Sequence, residues 1–384
     1  FFDETSEVTD YRLEEAERNK RIKQDALITD YEFEDIFYSD VKVHLLPVTI
    51  EAGQAVRLEL EKHYSDIRYF SRLAFHRDYP IAHKRVVFRI AEPVDLLLNE
   101  IHFEGQDIHR EERSEDGYRI VEFELKELPA YQEEVRSLGL FYNLPHLLLA
   151  PRSYREGGLK KPIFEDATGL YKWYRSILKD MENRPEDLSP LVDELTAELE
   201  SPREKARALY YWVQDNIRYI AFENGIAAYQ PDDAQQVMRK RYGDCKGMAN
   251  LLKEMLLLAG LDARLCWIGT HRLPYSFDTP SVGINNHMIT VLFLDEETYF
   301  LDPTEKFNVF GECAFRIQGQ EVMIEDGDSF IQIEVPEHGP EYNRESILKE
   351  YRLDPENQLL RGHFNLIFEG ESRSRLLYLL NQFN

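Results

Sequence analysis

The stretch GDCKGMANLLKEMLLLAG, residues 243–260, constrains the fold more than any other part of the chain. Met248, Leu251, Leu252, Met255, Leu256 and Ala259 recur at the spacing of one helical face. Asp244 suits an N-cap and Gly260 tolerates positive φ, so the helix should open beside Cys245 and stop near Ala259. So wide an apolar stripe has to be covered by another layer. The next segments, DARLCWIG, NHMITVLFL and TYFL, are short and rich in β-branched and aromatic residues. The last two flank the acidic turn DEE and read as an antiparallel hairpin.

At 384 residues the chain is too long for one ordinary core, and two or three domains are expected. Residues 1–155 read as mostly β, from segments such as AVRLELEKHYS, KRVVFRIAEPVDLLLNEIHFEG and GYRIVEFEL; LITDYEFEDIFYSD and DVKVHLLPVTI have the same character. They predict an antiparallel, β-sandwich-like or barrel-like domain. RLEEAERNKRIKQD has helical composition and fits a short helix or the end of a long hairpin. Residues 147–166 turn to Pro, Gly and basic residues, as a connection between domains would. Helices are expected in TGLYKWYRSILKDM, LSPLVDELTAELE, SPREKARALYYWVQDNI (Ser201 N-cap, Pro202 first) and PDDAQQVMRKRY, with a short strand in RYIAFE. The core domain is placed at 156–335. Residues 336–384 read as the start of a further β domain, a hairpin turning at DPENQ, with the last residues strand-like.

The balance of 71 acidic against 46 basic residues, a net charge of −25, disfavours nucleic acid as a partner. No apolar run approaches the roughly 20 residues of a membrane-spanning helix. The chain opens on FFDETSEV, so an export signal would lie outside this sequence. Cys245, Cys266 and Cys313 form no CxxC pair and have no His at ligand spacing; no metal and no cofactor is expected, and EDGDS is too short for a calcium loop. Cys266, in the apolar strand ARLCWIG, and Cys313, in FGECAFRI without an activator, read as structural.

Cys245 differs because a sulfur in a helix's first turn lies near unpaired N–H groups and the positive end of the dipole, which favour thiolate. Lys246 adds positive charge and Asp244 opposes it unless spent on the cap. A thiol nucleophile needs a base and the base an orienting group. His287 begins one strand of the hairpin and Asp302 ends the other. A turn at 295–297 sets Asp302 opposite about residue 290, a diagonal step from His287. The alternatives are plain: a compact residue at a helix start, a strand histidine and an Asp-Pro turn.

YGDCKGMANLL…AGLDARL, NNHMITVLFL and YFLDPT, in that order, resemble the transglutaminase-like superfamily over about residues 165–310. The resemblance implies a papain-related α+β core with Cys245 as nucleophile, His287 as base and Asp302 as orienter. The order of β domain, core and second β domain resembles bacterial, usually exported proteins, which implies a periplasmic or cell-envelope location. It implies thiol acyl transfer or hydrolysis of amide bonds, with a protein or peptide substrate (an envelope protein or glycopeptide among them). The other function class is an inactive binding or assembly protein of the envelope. For the oxyanion, the Cys245 N–H is one donor; the second is Gln230, with Gln214 and Trp267 left open.

Overall fold

The computed structural model describes residues 5–15, 20–22, 27–30, 42–45, 55–134, 137–221 and 229–382. Strand β1 (Ser6–Glu15) pairs with β2 (Lys20–Arg21), so the described residues 12–15 and 20–21 of RLEEAERNKRIKQD are strand; residues 16–19 and 23–25 lie outside the described residues. Strands β3 (Leu27–Asp30) and β4 (Lys42–Leu45) pair with each other; residues 31–41 and 46–54 of the aromatic stretches lie outside the described residues. Strand β5 (Val56–Tyr64) completes the order β2-β1-β5.

Two further sheets face each other. Strands β6 (Arg72–Ala74), β7 (Ile81–Ala91), β8 (Val94–Ile101), β9 (Ile108–Glu115) and β10 (Tyr118–Leu128) are followed by a single helical turn, α1 (Leu140–Asn143), and by β11 (His146–Glu156) and β12 (Leu159–Pro162). One sheet runs β7-β10-β9; the other runs β12-β11-β6, with β8 also on β11. Phe88, Ile90, Val121 and Phe123 of the first sheet meet Leu96, Leu147 and Leu149 of the second in one buried core. Alternate positions carry charge, and Arg85 pairs with Glu122 on the outer side. Residues 147–166 are therefore a strand and hairpin where a connection was expected. Leu147–Ala150 are almost wholly buried, Pro151 sits at a register shift where a ladder tolerates it, and Gly157 and Gly158 make the turn with positive φ. The expected boundary at 155 falls inside β11.

Helices α2 (Ala167–Leu178), α3 (Pro185–Thr196) and α4 (Pro202–Asn216) follow; α4 has a capping box between Ser201 and Glu204. Strand β13 (Arg218–Tyr219), helix α5 (Ala234–Lys240) and strand β14 (Tyr242–Gly243) lead into α6 (Cys245–Leu258), and β13 pairs in parallel with β14. Of the expected RYIAFE strand, Ile220 and Ala221 are not strand, and residues 222–223 lie with 224–228 outside the described residues. Helix α6 packs under α3, α4 and α5 through Leu251, Leu252, Met255 and Leu256. Its sheet has the order β17-β16-β15-β18-β19, all antiparallel, from β15 (Asp262–Ile268), β16 (His287–Leu294), β17 (Glu297–Leu301), β18 (Glu321–Asp326) and β19 (Ser329–Glu334). Leu265 and Trp267 join the aromatics of α2, whereas Cys266 and Ile268 join Ile289, Phe300 and Ile317 on the far face.

Strands β20 (Glu345–Asp354) and β21 (Leu359–Phe368) make the expected hairpin. The tail after it is a helix, α7 (Gly370–Asn381), not a strand. Gly370 takes φ +59°, Asn343 Oδ1 accepts from the Glu371 N–H at 2.8 Å, and Arg373 pairs with Glu312 at 2.6 Å, so tertiary contacts fix its first turn.

Candidate active site

Asp244 caps α6 with extended backbone and a carboxylate oxygen that accepts from the Gly247 N–H at 2.8 Å. Its other oxygen pairs with Lys246, and both side chains are buried. The positive charge expected of Lys246 is thus held by the cap. Close packing shapes this corner: a Cβ on Gly243 or Gly247 would come within 3.0 Å of Val237 side-chain carbons. Cys245 occupies the first helical position, 8% exposed, where its N–H has no partner within the helix.

The hairpin of β16 and β17 turns through Asp295 and Glu296, both at positive φ (53° and 63°), a two-residue turn of the kind that suits a twisted ribbon. Thr290 pairs with Leu301, so Asp302 lies beside residue 289, one short of the expected 290. That parity puts it on one face with His287, diagonally across. His287 Nε2 donates to Asp302 Oδ2 at 2.8 Å, and both side chains are almost wholly buried. The Cys245 side chain is a further hydrogen-bonding neighbour of His287 and adds to the effects that favour the protonated imidazole. Cys245, His287 and Asp302 therefore meet.

The electrostatics centre on the carboxylate. Burial alone would hold His287 neutral, but the Asp302 charge, its hydrogen bond and the contact with Cys245 prevail, and the imidazole is pushed up to about 9. Burial also opposes the Asp302 anion, yet His287, Arg316 and Thr304 hold its carboxyl far below the usual range. Asp302 Oδ1 accepts from the Thr304 N–H at 3.1 Å and hydroxyl at 2.7 Å. Tyr210 of α4 donates to the Asp302 carbonyl at 3.2 Å. Cys266 and Cys313 are buried free thiols, and desolvation pushes both up, Cys313 to about 11.

Arg316 was not anticipated. Its Nη2 donates to Asp302 Oδ2 at 2.9 Å and lies 3.2 Å from His287 Nε2; its Nε lies 2.9 Å from Glu305. Two donors thus share one carboxylate oxygen. An isolated arginine outside any motif gives no sequence signal. Thr304 did have one, since an Asp side chain commonly accepts a hydrogen bond from the residue two positions on.

Of the three oxyanion candidates, Gln214 is committed elsewhere, donating to the Glu305 and Asn308 carbonyls at 2.6 and 3.0 Å. Gln230 is half-buried and does not line the cleft described next, although its neighbour Tyr229 does. Trp267 lines it, stacked on Tyr174 with ring centroids 4.8 Å apart. The cleft, of about 350 Å³, contains Cys245 and His287. Its opposite wall comes from the first 155 residues, through Arg72, Tyr131, Glu133 and residues 138–141. Among the described residues no group of three His, Cys, Asp or Glu is placed to hold a metal, and no helix is long and apolar enough to cross a membrane.

Residues 189–300 match the transglutaminase-like superfamily, a span that includes Cys245 and His287 and ends just before Asp302. The chain carries a transglutaminase-like domain. Among solved structures it is similar to a putative protease from Parabacteroides distasonis, with 15% identity and a TM-score of 0.63 over 86% of this chain and 62% of that one. This chain thus spans less than two thirds of that protein, and the likeness is one of fold. A putative cysteine protease from Cytophaga hutchinsonii aligns at 14% identity over 61% of this chain and 76% of that one, with a TM-score of 0.27 that defines no shared fold. No curated protein matches the chain in sequence.

Proposed function

We propose that the protein is a thiol acyl-transfer enzyme acting on amide or peptide bonds. The observation that carries this is His287, buried between the sulfur of Cys245 and the carboxylate of Asp302. With the shared proton already on His287, Cys245 Sγ attacks the carbonyl carbon and forms a C–S bond. The C–N bond breaks as His287 returns that proton to the leaving amine. Water then cleaves the thioester and regenerates the thiol; an amine in place of water makes the reaction a transamidation. Hydrolysis is the favoured outcome, because an amine has to compete with abundant water and needs its own channel. The Cys245 N–H is one oxyanion donor, and of the three candidates for the second we favour Trp267 because it alone lines the cleft.

Alkylation with iodoacetamide, followed by mass spectrometry at each cysteine, tests the reading. Cys245 should react well below neutral pH and outpace Cys266 and Cys313, and His287→Ala should slow it on the order of 100-fold at pH 6, the scale of a general base's contribution. An unchanged profile in His287→Ala would leave binding or assembly as the function.

A further inference from the structure

The cleft over Cys245 is lined by three side-chain cations besides His287, namely Arg72, Lys246 and Arg272, and two are matched. Lys246 is paired with Asp244 inside the core, and Arg272 pairs with Glu133 at 3.1 Å on the rim, where both are exposed. Arg72 has no carboxylate partner among the described residues. Its guanidinium lies 5.2 Å over the ring of Phe141, another lining residue. A ring face attracts the cation and satisfies none of its five N–H donors.

The fold holds this side chain in place. Arg72 opens β6 and pairs with Leu148 of the buried strand β11. Its stem runs so close to Gly283 that a Cβ there would stand 3.0 Å from Arg72 Cγ. A half-buried guanidinium fixed at its base, with its donors unspent, is a ready partner for a planar two-oxygen anion. In a chain of net charge −25 such an anion is repelled at a distance, and an unmatched cation is the place to hold it.

We propose, building on the acyl-transfer reading above, that Arg72 is a carboxylate-binding subsite and that the substrate is a peptide carrying a carboxylate near the amide that Cys245 attacks. The acid is a peptide's free C-terminus or an Asp or Glu side chain. Uncompensated, Arg72 selects acid over amide, and the selectivity resides in a residue outside the transglutaminase-like domain.

Binding to Cys245→Ala protein tests this without any chemistry, read by calorimetry and by fluorescence of Trp267. Two peptide pairs separate the sources: acetyl-Gly-Gly as free acid and as amide, and acetyl-Gly-Glu-amide against acetyl-Gly-Gln-amide. In at least one pair the acid should bind about tenfold more tightly, as a charge-assisted fork predicts. Adding Arg72→Gln should remove that preference, and Arg72→Lys, which keeps the charge but not the fork, should retain part of it with an unchanged melting temperature. Equal binding of acid and amide in both pairs, failure of both acids to bind, or a preference that survives Arg72→Gln overturns the proposal. Failure of the acyl-transfer reading would appear separately, in the alkylation profile of His287→Ala.

Discussion

Asp302 is asked to serve two cations with one oxygen. His287 and Arg316 both donate to Oδ2, while Oδ1 is occupied by Thr304. The Asp302 charge raises His287 and the Arg316 charge lowers it, so the guanidinium tempers a base that would otherwise hold its proton more firmly. Because the folded-state value, about 9, lies above the ordinary 6.5, His287 contributes stability in full below pH 6.5, and that contribution is lost as pH rises through 9. Denaturation across this range should show stability falling with pH, and His287→Ala should flatten the fall. Arg316→Gln should move the imidazole midpoint above about 9 in an NMR titration; a midpoint that drops would mean that Arg316 acts by packing and not by charge. The sequence made Cys245, His287 and Asp302 legible because each ends or begins a patterned element. Arg316 lies in a single 3-10 turn, Phe315–Ile317, too short to show a period, and its approach to Asp302 is set by the packing of Ala314 and Ile317 against the far face of the sheet.

Helix α6 shows how one capping residue joins fold to site. Asp244 caps the start of the helix with one oxygen and neutralises buried Lys246 with the other. Asp244→Ala therefore removes a cap, worth about 1 kcal/mol, and also leaves a buried ammonium without its partner, a loss of roughly 3–5 kcal/mol. Asp244→Asn keeps the cap oxygen and should cost less than Asp244→Ala in urea denaturation; equal costs would mean that the cap contributes little and the lost ion pair carries the effect. Both cap and helix were readable from GDCKG and its apolar stripe. The register of β16 on β17 was readable to within one residue, because the two-residue turn at Asp295 and Glu296 is tighter than the composition DEE specifies. The tail at 370–381 was not readable, since its helix is anchored by Asn343, Glu312 and Phe307, residues far away in sequence.

On the scale of the whole molecule, β11 decides how the sandwich and the helix-covered sheet relate. Leu147 and Leu149 point into the sandwich core, and Leu148 between them belongs to the core of α2, Trp267 and Met288. Ser281, just before His287's strand, donates its hydroxyl to the Leu149 carbonyl at 2.7 Å in a buried contact, and Tyr142 donates to the Leu273 carbonyl at 3.3 Å. Composition could not reveal this, because a strand buried on both faces and broken by Pro151 has the same residues as a linker. A strand whose successive side chains serve two cores transmits the loss of one to the other, so both should unfold together. Leu148→Ala should cost about 2–5 kcal/mol, the usual range for emptying a buried leucine site. The three tryptophans all lie between residues 173 and 267, so fluorescence reports the helix-covered core alone, while hydrogen exchange at Val121 and Phe123 reports the sandwich. In wild type and Leu148→Ala alike, both probes should give one midpoint, shifted equally by the substitution. A sandwich that keeps its protection after the tryptophan signal is lost would show that β11 divides the cores and does not join them, and the cleft wall bearing Arg72 would then be free to move relative to Cys245.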